Sequence, residues 1–137
     1  MTENSAARRR WPAWAVPFVA AAAAVAVWLV GAALGVDVEA RTGASTQSVT
    51  VVAVLVAALV VGLAGWGVRV MVGRLARGGG EVAWLVLCGL VLLGSLVGAA
   101  SGTTPEAFAI LMAEHVVVGF VVALGLRQGS GGVSRTA

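Results

Sequence analysis

QSVTVVAVLVAALVVGLAGWGVRVMV, residues 47–72, is apolar almost from end to end. Its one charge, Arg69, falls near its close, and no proline interrupts it. A helix needs about 20 predominantly apolar residues to cross the hydrocarbon core of a bilayer. A surface helix of a soluble domain would need a wet face, and this run offers none. It reads as a transmembrane span.

Three further stretches match it: Trp11 or Pro12 to about Leu34, Glu81 to about Ala100, and Pro105 to about Leu126. The linkers GVDVEARTGAST, GRLARGGG and SGTT carry the Gly, Ser, Thr and charge of turns. The expected fold class is an all-α membrane protein, four transmembrane helices in an up-down bundle. Its spans, about 12–34, 47–72, 81–100 and 105–126, make one domain over 11–126. Residues 1–10 and 127–137 are expected to be tails, the second disordered.

Composition agrees. The chain has 137 residues, 60% hydrophobic and only 11% charged, where soluble domains carry roughly 25%. Mean hydropathy is +1.00. Every basic residue is Arg, and Lys and Tyr are absent; this bias suits a GC-rich bacterial genome such as an actinomycete's. The net charge of +3 does not point to nucleic acid, since no basic patch is interleaved with aromatics. Cys88 is the only cysteine, which excludes an intrachain disulfide and leaves the compartment unread.

Arginine placement sets an expected orientation. Arg8, Arg9, Arg10, Arg69, Arg74, Arg77, Arg127 and Arg135 fall on one side, and Arg41 alone on the other. The positive-inside rule then puts both termini and the second linker in the cytoplasm. The expected location is the bacterial cytoplasmic membrane, with the bilayer itself as first partner. Trp11, Trp14, Trp66 and Trp84 lie near the inner span ends and read as an interfacial belt; Arg69 is expected to snorkel to that interface. The first span is longer than the roughly 7–15 residues of a secretory h-region, and Pro17 lies inside it, so it is expected to be retained.

In lipid, small residues mark where helix backbones approach. Gly31 and Gly35 make one GxxxG; Gly94, Gly98 and Gly102 carry the spacing through the third span. Ala109 and Ala113 repeat it, and Gly62, Gly65 and Gly67 crowd the second span. A homo-oligomer seam and contact within one bundle both fit; short linkers favour the second. Thr103 to Glu106 has capping-box spacing, with Pro105 suited to the first turn. Asp37, Glu39 and Glu106 read as solvated loop and cap residues.

Against this background Glu114 and His115 stand out. Glu114 lies about 15 Å below Thr104 on the helix rise, near mid-membrane. Sequence neighbours point about 100° apart, so the pair cannot work face to face. An ionised group facing lipid there costs about 2.5–3.5 kcal/mol on insertion scales. A protonated Glu114 and a neutral His115 are the simplest state. Polar partners within the spans are few: Thr50, Cys88 and Ser95. Side chains lean toward the N-terminus of their helix, which tilts Ser95 and the fourth span's pair toward each other. Ser95 is the expected hydrogen-bond partner. Cys88 reads as a packing residue. Two readings stay open: a proton or ligand site in a bundle cavity, and an interhelical hydrogen bond that fixes packing. No metal site is expected, since zinc wants three or four ligands and the chain has one His and one Cys. No cofactor motif, GxSxG or P-loop is present, and no catalytic role is expected.

The stretches GVDVEARTG, VGLAGWGVRVMVGRL and LLGSLVGAASGTT leading into LMAEHVVVG resemble an actinobacterial group of small four-helix integral membrane proteins, a domain of unknown function. The resemblance runs from about Trp14 to Arg127. It implies the four-helix architecture and maps His115 onto a histidine that follows Met in the family; here Glu114 stands at the Met position. The family's third span often continues Gly-Pro, where this chain has Gly98 and Ala99. The resemblance brings no substrate or reaction. The expectation is a membrane protein with a structural, lipid- or small-ligand-binding, or membrane-protein-partner role. The alternative is a small proton-coupled transporter or channel subunit using His115 and Glu114.

Overall fold

The structure, a computed structural model, describes residues 12–76 and 80–127. The expected tail at 1–10, with Arg8, Arg9 and Arg10, lies outside the described residues, as do Trp11, Arg77 and the expected tail at 127–137 except Arg127, which ends the fourth helix. Four helices carry the chain: α1 (Val16–Ala33), α2 (Val51–Leu75), α3 (Gly80–Ala99) and α4 (Pro105–Arg127). Between α1 and α2 a short hairpin forms from β1 (Glu39–Thr42) and β2 (Ser45–Ser48). The helical segments have mean hydropathies of 2.2 to 2.5, and each is long and apolar enough to cross a membrane.

The bundle is up-down. At one end the start of α1, the end of α2, the start of α3 and the end of α4 share a core of Val16, Ala20, Trp84, Val122 and Leu126, with Val72 and Leu85 against it. At the hairpin end Val38, Ala99 and Leu111 form a second core with Trp28 and Val49. Between them α1 and α2 meet through alanines: Ala21, Ala24 and Ala58, with Val54. With no hydrophobic drive inside lipid, such small side chains gain contact by bringing backbones close.

Glycine does this most tightly between helices at four places. A Cβ on Gly62 would stand 2.7 Å from the Cα of Pro17, one on Gly65 2.8 Å from Val122, one on Gly119 2.8 Å from Leu92, and one on Gly125 2.9 Å from Val16. Of the five glycines expected at helix contacts, Gly31 meets Ile110 of α4 at 3.1 Å, whereas Gly94 and Gly98 face open space. Spacing puts those two on one face of α3, but it is the outward face, where Val97 is 76% exposed. Gly35 is a helix stop rather than a contact. Its φ of 74° and the bonds Gly35 N–H to Ala32 O and Val36 N–H to Gly31 O make a Schellman turn that ends α1. Gly102 packs on the first turn of its own α4, near Phe108.

The hairpin differs from the loop expected of GVDVEARTGAST. Thr42 pairs with Ser45 and Glu39 with Ser48. Gly43, φ 62°, takes the first turn position, which only glycine occupies cheaply. The α3–α4 linker then adds to its edge through Arg41 N–H to Ser101 O and Thr103 N–H to Glu39 O. Residues 45–48 being strand, α2 begins at Val51 rather than Gln47. Thr50 caps it, its hydroxyl oxygen accepting from Ala53 N–H. On α4 the cap is Thr104, whose oxygen accepts from Ala107 N–H, and not Thr103. Thr103 is drawn away by its bond to the hairpin.

Candidate functional site: an apolar cleft holding Glu114 and His115

α1 packs on α2 and α4, and α3 leans on α4. α2 and α3 therefore stand apart over much of their length and leave a cleft of about 630 Å³ between them. Ala57, Ala64 and Val68 of α2 form one wall, Leu87, Cys88, Val91 and Ser95 of α3 the other; Glu114, His115, Val118 and Gly119 of α4 make the floor. Val61, Val68 and Val91, which line it, are exposed, so the cleft is open at the side, where a spanning bundle meets lipid.

Three of the residues expected at a polar site come together here, in a different arrangement from the one expected. Glu114 sits on the buried face of α4 in step with Ala107, Leu111, Val122 and Leu126. It is 7% exposed, and its Oε1 has no hydrogen-bond partner among the described residues. An unpaired carboxylate in such surroundings is costly, which favours the neutral acid. His115, half-buried, donates from Nδ1 to the Leu111 carbonyl at 2.7 Å. A carbonyl only accepts, so Nδ1 carries a proton, and in the neutral tautomer Nε2 is then the acceptor. No described residue engages Nε2. Ser95 is not the link to either residue: its hydroxyl donates to Leu92 O of its own helix at 2.8 Å. A carbonyl one turn back is always within reach of a helical serine, and here it wins.

Arg69 and Trp84 make a second polar arrangement that the sequence reading missed. Arg69 does not snorkel; it is 9% exposed. Its Nε donates to Leu126 O at 3.3 Å and another guanidinium nitrogen to Gly80 O at 3.4 Å. The guanidinium lies 5.8 Å from the ring centre of Trp84, inside cation–π range. Trp84 is 2% exposed, in the core rather than the interfacial belt, and its indole N–H donates to Ala123 O at 3.1 Å. One arginine thus ties α2 to α3 and to a carbonyl in the last turn of α4, Leu126 O, at the end of a helix dipole that favours a cation. The signal was present as an Arg and a Trp at the same depth of adjacent antiparallel spans. Beside this knot Glu81 and Arg127 form an exposed ion pair, of the kind worth about 0–1 kcal/mol.

A family model, described as a family of unknown function and designated DUF6069, matches residues 4–131. The chain belongs to the DUF6069 family. No curated protein and no solved structure matches it. In this DUF6069 chain both polar arrangements fall inside the matched region. Among the described residues no three of His, Cys, Asp and Glu gather closely enough to hold a metal ion. Glu114 and His115 are side chains of the cleft that can take part in hydrogen bonding.

Proposed function

We propose that this multi-pass membrane protein binds an apolar small molecule or lipid chain in the α2–α3 cleft, with the ligand's polar end at Glu114 and His115. The observation that carries the proposal is Glu114, which lines a largely apolar cavity and whose Oε1 is buried without a partner among the described residues. Buried polar groups are nearly always paired, and an exception asks for a reason. A volume of about 630 Å³ lies within the 300–1,000 Å³ usual for small-molecule sites. The arginine asymmetry supports placing it in the bacterial cytoplasmic membrane with both termini inside. Binding is preferred to catalysis because the cleft's one hydroxyl, Ser95, is committed to Leu92 O. The second reading, proton-coupled transport, is favoured by the same carboxyl, which can take and release a proton inside the bundle.

Cys88, the only cysteine, lines the cleft and offers a reporter. With a trifluoroethyl tag on its sulfur and the protein in nanodiscs, decanol and decylammonium are titrated while fluorine NMR is followed. A saturable shift with at least one of them, lost in Ala57→Phe, is expected. Shifts that only track partition into the bilayer, alike in wild type and Ala57→Phe, would overturn the proposal. Proton flux in proteoliposomes under an imposed gradient, lost in Glu114→Gln, would move the assignment to transport.

A further inference from the structure

The cleft is short of hydrogen-bond donors. Trp84 gives its N–H to Ala123 O, Ser95 its O–H to Leu92 O, and His115 its Nδ1–H to Leu111 O. The backbone N–H groups along the helical walls are bound within their own helices. What remains toward the cavity is the Glu114 carboxyl, the His115 Nε2 acceptor and the weakly donating thiol of Cys88. Among the described residues no arginine lines it: Arg69 is held at one end of the bundle on the Leu126 and Gly80 carbonyls. A ligand head that only accepts, such as a ketone, would find one donor, the acid proton of Glu114. An anionic head would find no counter-charge. A protonated amine brings three donors and a positive charge to a site made of acceptors.

We infer that the cleft selects an amphiphile with a protonated amine head and an apolar body, and that a proton and the ammonium compete for Glu114. The inference rests on the cleft being a binding site, as proposed above. The exchange balances: neutral Glu114 gives up one proton to the medium as one ammonium enters, and the carboxylate–ammonium pair that forms is neutral overall. His115 Nε2 accepts a second N–H. The pairing is strong for the same reason that isolated ionisation is costly, a low dielectric. The groups able to disturb it are few. α1 contains no titratable side chain, and α2 has Arg69 and Arg74. α3 has Glu81 at its first turn and Cys88 in the cleft wall; α4 has His115, with Glu106 and Arg127 near its ends.

The test uses three probes with one tail, decylammonium, decanol and decanoate, titrated calorimetrically into the full chain in zwitterionic nanodiscs, with empty nanodiscs subtracted. At about pH 8 decylammonium, protonated like a lysine head, is expected to bind at least about tenfold more tightly than decanol, and decanoate not measurably. Glu114→Gln, which keeps size and hydrogen bonding but not charge, should erase that preference, bringing decylammonium affinity down to the level of decanol. On the acid side decylammonium affinity should fall about tenfold per pH unit, with up to one proton released per ligand bound. Equal binding of decylammonium and decanol, or a preference that survives Glu114→Gln, would overturn the amine inference and leave the binding site standing. Absence of saturable binding by all three probes would remove both.

Discussion

Among the described residues two charged-type side chains, Arg69 and Glu114, are buried in this apolar bundle, and they are treated in opposite ways. Arg69 is surrounded by partners: two carbonyls at helix ends, the face of Trp84, and through Trp84 a third carbonyl on α4. Glu114 is as deeply buried, yet its Oε1 has no hydrogen-bond partner among the described residues. Both would be costly alone. One is resolved by the fold itself and becomes part of its stability. The other is left unresolved beside a cavity, where a ligand can resolve it. Burial alone therefore does not separate a structural polar group from a binding one; satisfaction does.

The sharpest way to break this contrast is to remove each group and ask for the sign of the effect. Arg69→Ala leaves the Leu126 carbonyl at the end of α4 without its partner and is expected to destabilise the bundle by about 1–3 kcal/mol, read by unfolding in mixed micelles with rising dodecyl sulfate. Glu114→Leu should do the reverse, raising stability by about 1 kcal/mol through removal of an unpaired polar atom while abolishing ligand binding. A loss of stability in Glu114→Leu comparable to that of Arg69→Ala would place Glu114 with the structural groups.

Packing offers the next contrast. Gly62 has the Pro17 backbone 2.7 Å from a would-be Cβ, and Gly98 has nothing within 4 Å. Gly62→Leu should cost about 1–3 kcal/mol by overpacking, and Gly98→Leu should stay within about 0.5 kcal/mol. A large cost at Gly98 would mean that a second copy covers the outward face of α3. The smallest expected effect is a double-mutant cycle between Ser95→Ala and His115→Ala, with coupling under about 0.5 kcal/mol, since Ser95 bonds its own helix.

The helices were legible because lipid leaves backbone polar groups no partner outside a helix, so each span must write a long apolar run into the sequence. The hairpin was not, because EART and STQS carry no apolar alternation, and its pairing with the α3–α4 linker depends on the bundle bringing those ends together. Depth was readable and direction was not. Arg69 and Trp84 were placed at the right level but assigned to the interface, because which way each side chain turns is set by neighbouring helices. The spacing of Gly94 and Gly98 likewise shows that they share a face without telling what that face meets. Glu114 and His115 drew attention by chemistry alone. That the Glu114 oxygen has no partner follows from where α1, α2 and α3 lie, which no local pattern encodes.

The claim that Glu114 is an unsatisfied group waiting for a ligand has a direct spectroscopic test. Infrared difference spectra of wild type minus Glu114→Gln, in zwitterionic bilayers, isolate the Glu114 carbonyl stretch. The account predicts a band at the high frequency of a protonated carboxyl whose carbonyl lacks a hydrogen bond, replaced by carboxylate bands when decylammonium is added. A band already at hydrogen-bonded frequency, unmoved by the probe, would contradict it.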